Sequence, residues 1–146
     1  MNLEKQEKQL KKSWTNFMGK ILLDTSIIID FLRRKDKVKT RLFSLSKSDY
    51  SLYISIITHT ELYAGKSIWE SQKAQEELEA LFSGIDILPL ETAISKKAGE
   101  LKARFDLNLL DAIIAATAII HNLPLATLNL KDFQKIKAVS LFKEES

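Results

Sequence analysis

The sequence predicts an α/β domain built on a mainly parallel central sheet. Three observations carry that expectation. Short apolar runs alternate with longer segments of helical periodicity from residue 21 to residue 142, the order of repeated β–α units. The first run, Ile21-Leu22-Leu23, has no polar face, as in a strand covered on both sides. Acidic residues then recur where strands give way to helices, and right-handed crossovers put all those places on one edge of a parallel sheet.

Residues 1–19 read as a polar extension ahead of a domain spanning 20–146. In the extension Leu3, Leu10, Trp14 and Phe17 recur at rough helical spacing, so a short amphipathic helix fits; Met18 is an alternative start. After the first strand, Asp24-Thr25-Ser26 offers three good N-cap residues, and Ile27 to Arg34 reads as a helix. Lys37 to Lys47 reads as a second helix, with Val38, Leu42 and Leu45 on one side. Leu52 to Ile56 is β-branched and aromatic, hence a strand. Thr58 to Lys66 and Trp69 to Phe82 read as helices. Ile85 to Leu88 is a strand closed by Pro89, and Thr92 to Arg104 a helix. Leu109 to His121 is apolar on nearly every side, so a buried helix is expected. Leu125 to Thr127 is a short strand, Asp132 to Ile136 a helical turn, and Ala138 to Phe142 a last strand.

Composition narrows the chemistry. With 45% hydrophobic residues in a chain of 146, one well-packed domain is expected and disorder is excluded for most of the chain. Cysteine is absent, which removes disulfides, thiol nucleophiles and cysteine-bound zinc, and suits a reducing cytoplasm. His59 and His121 are the only histidines and stand far apart, so a multi-histidine zinc site is not expected. A bound metal must then be held by oxygen, which points to Mg²⁺ or Mn²⁺. The apolar stretches are too short for a membrane span, and no secretory leader is visible. Residues 1–20 hold five Lys and two Glu, which accounts for the net charge of +3. A local basic cluster remains at Arg33, Arg34, Lys35, Lys37, Lys39 and Arg41, either a solvated surface or a contact for phosphates.

Four acids stand out by position. Asp24 follows the first strand, Glu61 opens the helix after the second, Asp111 starts the buried helix, and Asp132 follows the Leu125–Thr127 strand. Each also has an ordinary reading in helix capping: Asp24 and Asp132 as N-caps, Thr58-x-x-Glu61 as a capping box and Asn108-x-x-Asp111 loosely likewise. Caps do not explain why acids recur at the same edge. Carboxylates gathered there repel unless a cation joins them. A hard divalent ion can do so while activating water and stabilising charge on a phosphodiester. His59 and His121 have structural readings, the second as a cation at a helix C-terminus.

The residues also carry a family likeness. Leu23-Asp24-Thr25-Ser26-Ile27-Ile28-Ile29-Asp30 resembles the opening motif of PIN-domain proteins, and Ile54 to Gly65, Leu110 to Ala118 and Leu123 to Phe133 resemble the three that follow, in order. The likeness is strongest to the VapC-type toxins. It implies a three-layer α/β/α fold, an acidic pocket for Mg²⁺ or Mn²⁺, endoribonuclease activity on structured RNA, and a homodimer neutralised by an antitoxin. Position by position, it implies that Asp24 and Asp111 hold the metal, with Glu61 and Asp132 completing the pocket. It also implies that Thr25 or Ser26 helps hold a ligand or phosphate and that Thr127 supports the fourth motif. Asn129 stands where many relatives have Asp, which keeps open a non-catalytic RNA-binding or adaptor module. Arg33, Arg34 and Lys35 are the candidate substrate contacts. A phosphoacceptor receiver domain also places Asp at strand ends, but the spacing of acids and lysines fits it poorly.

Overall fold

The computed structural model describes residues 2–7 and 19–143 of the chain. Strands β1 (Lys20–Leu23), β2 (Ser51–Ser55), β3 (Asp86–Leu88) and β4 (Leu125–Ala126) form one sheet in the order β3-β2-β1-β4. Every pairing is parallel, with Leu22 opposite both Tyr53 and Leu125 and Tyr53 opposite Asp86. The chain builds outward from β1 through β2 to β3, then returns to lay β4 on the other side of β1. The order therefore reverses between β1 and β4, the place where open α/β sheets form their binding crevice.

Why β1 is apolar throughout follows from its alternating faces. Leu22 packs among Ile94, Ala98, Leu101 and the buried residues of Leu109–Ile120. Ile21 and Leu23 face the opposite way, among Ile27, Ile28, Leu42, Leu62 and Leu78. The two cores make the expected three layers. One outer layer holds α1 (Thr25–Arg33), α2 (Arg41–Ser46), α3 (Ile56–Tyr63) and α5 (Gln72–Phe82), with the short α4 (Lys66–Trp69) leading into α5. The other holds α6 (Thr92–Phe105) and α7 (Leu109–Ile120), and Phe133 of α8 (Leu130–Gln134) is fully buried in its core. Residues 112–118 of α7 are all buried. Ala112, Ala115, Ala116 and Ala118 belong to this core with Ala98 of α6, side chains small enough for two helices to approach closely.

Several local expectations change. The segment 37–47 is two pieces, a 3₁₀ turn at Lys37–Lys39 and α2, divided at Thr40. Thr40 is buried and extended; its hydroxyl donates to the Lys37 carbonyl and accepts from the Phe43 N–H, closing the turn and capping α2. Val38 is accordingly 65% exposed rather than sharing a face with Leu42 and Leu45. Lys37 donates to the carbonyls of Phe31 and Leu32, closing the end of α1. Helix α3 begins at Ile56, because Ser55 accepts from the Ile57 N–H. The segment 69–82 breaks at Ser71, which caps α5 through the Ala74 N–H. The last expected strand, 138–142, reduces to one parallel bridge between Leu125 and Leu141. Residues 3–7 are helical and exposed, while Leu10, Trp14 and Phe17 lie outside the described residues. Among the described residues no helix is long and apolar enough to cross a membrane.

Candidate active site at the reversal of strand order

Asp24 leaves β1 at the N-cap position of α1, yet its side chain makes no capping bond. The carboxylate turns instead across the crevice. Its Oδ2 accepts from the Ser26 hydroxyl at 2.6 Å and from the Thr127 hydroxyl, just past β4, at 2.8 Å. Both hydroxyls are themselves held: Ser26 Oγ accepts from the Leu128 N–H at 3.0 Å and Thr127 Oγ1 from the Asn129 N–H at 2.9 Å. Asp24 is only 2% exposed, and among the described residues no group donates to its Oδ1. One oxygen is thus fixed by the protein and the other carries no such bond.

Glu61 sits mid-way along α3, not in its first turn, so the capping-box reading with Thr58 does not hold. Its Oε1 accepts from the Thr25 hydroxyl at 2.9 Å, and Thr25 Oγ1 lies 3.0 Å from Thr58 Oγ1. Thr25 and Thr58 are both buried. Asp111 occupies the first turn of α7, where the Asn108 side chain caps the helix by accepting the Asp111 N–H at 3.0 Å. Asp106 ends α6 in the left-handed region (φ 51°), shortly before α7 begins. Asp132 lies in the first turn of α8 and is exposed, with Asn129 at the N-cap.

The four acids share one electrostatic field. Burial pushes the Asp111 carboxyl above its ordinary range, and the charges of Asp24, Asp132 and Glu61 push it further, to about 6. Among the described residues nothing donates a hydrogen bond to that carboxylate. No three acidic or histidine side chains among the described residues form a ready-made cage for an ion. Asp24, Asp132 and Glu61 are near enough for their charges to act on Asp111, without forming such a cage. The donor set is all oxygen and carries excess negative charge, which fits a hard divalent ion rather than zinc or copper.

Other candidates fall elsewhere. Arg33, Arg34 and Lys35 are exposed at the far end of α1, about 14 Å along the helix from Asp24 at 1.5 Å per residue. Arg34 is paired with Asp30 at 3.0 Å. His59 packs its ring against Tyr63 and Phe82, with centroids 4.9 and 4.8 Å away, a structural place. Trp69 is 64% exposed, its N–H given to the Tyr63 carbonyl. Thr58 is the residue that sequence reasoning missed. Its spacing to Glu61 resembled a cap, and nothing local announced a partner 33 residues away.

A parallel α/β domain with acids at its strand-order reversal defines the class. The family model for the PIN domain matches residues 21–139. Ribonuclease VapC1 of Methanocaldococcus jannaschii is 35% identical over 139 residues, covering 92% of this chain and 93% of its own. Ribonuclease VapC of Rickettsia bellii is 34% identical, covering 80% and 90%. Among solved structures, a toxin–antitoxin complex from Klebsiella pneumoniae is similar at TM-score 0.67 and 31% identity, over 82% of this chain and 94% of that one. The chain belongs to the PIN-domain family and, more narrowly, to its VapC ribonucleases.

Proposed function

We propose that this protein is an endoribonuclease dependent on Mg²⁺ or Mn²⁺, the toxin of a toxin–antitoxin pair. The observation that carries the reading is the setting of Asp111, where burial and then the charges of three other carboxylates raise its proton affinity. Like charges placed together in a crevice are stabilised when a cation arrives. Asp24, through Oδ1, and Asp111 would hold the ion, with Glu61 and Asp132 completing the pocket directly or through water. A bound divalent ion supplies charge stabilisation on the phosphodiester oxygens and a more acidic water.

The chain's own groups do the rest. Ser26 and Thr127 hold Asp24 in one orientation, and Thr25 holds Glu61. Glu61, with Oε2 free of donors among the described residues, orients the attacking water and takes its proton. In-line attack leaves a 5′-phosphate and a 3′-hydroxyl. Arg33, Arg34 and Lys35 contact phosphates remote from the scissile bond. The nuclease domain is 20–146, with 1–19 an extension; the protein works in the cytoplasm as a homodimer, and a cognate antitoxin neutralises it. The likeness to VapC ribonucleases and to a toxin–antitoxin complex supports the ribonuclease and antitoxin assignments.

The test is cleavage of RNA by pure protein, followed by sequencing of the cut ends, beside Asp24→Asn. Cleavage that stops with chelator, returns with Mn²⁺, leaves 5′-phosphates and is absent in Asp24→Asn is expected. Cyclic 2′,3′-phosphate ends, or full activity in chelator, would overturn the reading. RNA binding without cleavage would identify the adaptor module that Asn129 keeps in play.

A further inference from the structure

We propose that Thr58, which nothing above places in the reaction, is a positioning residue for Glu61 and acts through the Thr25 hydroxyl. The inference rests on the nuclease reading of the pocket. A threonine hydroxyl has one proton and two lone pairs. Thr25 Oγ1 donates to Glu61 Oε1 at 2.9 Å, so its proton is already committed. The 3.0 Å contact between Thr25 and Thr58 then has one direction: Thr58 donates and Thr25 accepts. The result is a one-way relay from Thr58 through Thr25 to Glu61, each bond polarising the next.

Location argues that the hydroxyl has this use. Thr58 is 0% exposed, a place where an apolar side chain is the usual occupant. Thr60 and Thr117 give their protons to the carbonyl four residues back, at 3.0 and 2.7 Å. Thr58 stands in the first turn of α3, has no helical carbonyl behind it, and turns to Thr25 on α1. The relay fastens the segment after β2 to the segment after β1. With Thr58 in place, Thr25 has a lone pair occupied and its proton aimed at Oε1. Glu61 is therefore held through Oε1, and its other oxygen carries no bond from a donor among the described residues. Valine at 58 has nearly the same shape and removes the hydrogen bond to Thr25.

The test compares Thr58→Val, Thr58→Ser and Glu61→Gln, and Thr58→Val combined with Glu61→Gln. Residual cleavage is followed at high enzyme concentration. The Thr25 side-chain rotamer is read by NMR three-bond couplings in the metal-free protein, and urea unfolding reports the fold. Thr58→Val should lower kcat about tenfold with KM within about twofold, the loss of one bond in a charge-assisted pair. Thr58→Ser should restore kcat. Thr25 should hold one rotamer in the wild type and in Thr58→Ser, and average between rotamers in Thr58→Val. In the Glu61→Gln background Thr58→Val should bring no further loss. Unchanged kcat in Thr58→Val, failure of Ser to restore it, a single Thr25 rotamer in Thr58→Val, or an equal loss in both backgrounds would overturn the proposal. Wild-type cleavage by Glu61→Gln is a different result: it removes Glu61 from the reaction, and the relay's purpose with it.

Discussion

Replacing Asp111 by Asn is expected to stop cleavage and yet stabilise the metal-free protein at neutral pH. In the folded chain the Asp111 carboxyl titrates at about 6 instead of 3.8, because of burial first and then Asp24, Asp132 and Glu61. Between those two pH values the folded state binds the proton more tightly than the unfolded state. Wild-type stability therefore falls as pH rises through the window, and the deficit persists above it. Taken whole, such a shift is worth about 3 kcal/mol. Asp111 is only half-buried, so solvent screening brings the deficit to roughly 1–2 kcal/mol. Asn also forfeits the favourable placement of a negative charge at the start of α7, about 0.5 kcal/mol. The net gain in Asp111→Asn is thus about 1 kcal/mol at pH 7.5, a rise of about 4 °C in Tm. Urea unfolding in chelator at pH 4, 5, 6 and 7.5 should show no gain at the lowest pH and the full gain at the highest. Mn²⁺ at a hundredfold excess over its Kd should add about 2.7 kcal/mol to the wild type and reverse the order. A variant less stable than wild type in chelator at pH 7.5, or a difference that ignores pH, would refute the reasoning.

Thr127→Val removes the 2.8 Å bond to Asp24 and the acceptor for the Asn129 N–H. It should cost about 1–3 kcal/mol in urea unfolding and lower the initial rate of cleavage at least about tenfold if Asp24 loses its orientation. Ser55→Ala removes the cap of α3 and should cost about 1 kcal/mol of stability while leaving cleavage per folded molecule unchanged. Phe133→Ala empties a fully buried position in the core that holds α6 and α7 and should cost about 3–5 kcal/mol by the same assay. The pair Arg33→Ala and Lys35→Ala should raise KM without changing kcat. It should also flatten the dependence of RNA binding on log salt, by somewhat under one unit for each phosphate that is no longer neutralised.

How much of this was legible in the sequence depended on whether the signal was local. The unbroken Ile21-Leu22-Leu23 run announced a strand covered on both faces, and each residue packs into one of the two cores. The seven consecutive buried residues of α7 were likewise visible as a helix without a polar side. The break at Thr40 was not, because the pattern of Val38, Leu42 and Leu45 continues through it. A single buried hydroxyl bonding the backbone on both sides overrides that pattern. Thr58-x-x-Glu61 matched the grammar of a capping box, but Ser55 lies nearer the strand end and took the cap first. The bonds that shape the site run between residues 33, 36 and 103 positions apart. No window of sequence holds both ends of such a pair.

Those long-range hydroxyls also explain why the acids are unequal. Asp24 receives two hydroxyl protons and Glu61 one, each on a single oxygen. Hydrogen bonds from neutral hydroxyls offset part of the cost of holding a carboxylate in a crevice, and they fix its direction. They add no positive charge, so they cannot remove the repulsion among the acids. Asp111 receives no such bond among the described residues, and burial and then the charges of Asp24, Asp132 and Glu61 raise its proton affinity. Hydroxyls hold one oxygen each of Asp24 and Glu61, and among the described residues Asp111 and Asp132 have no such bond. Asp111 lies on a helix whose backbone is fixed by close packing against α6. Below about pH 6 a proton on Asp111 relieves the repulsion; above it, on the proposed function, a cation held by Asp111 and Asp24 would do so.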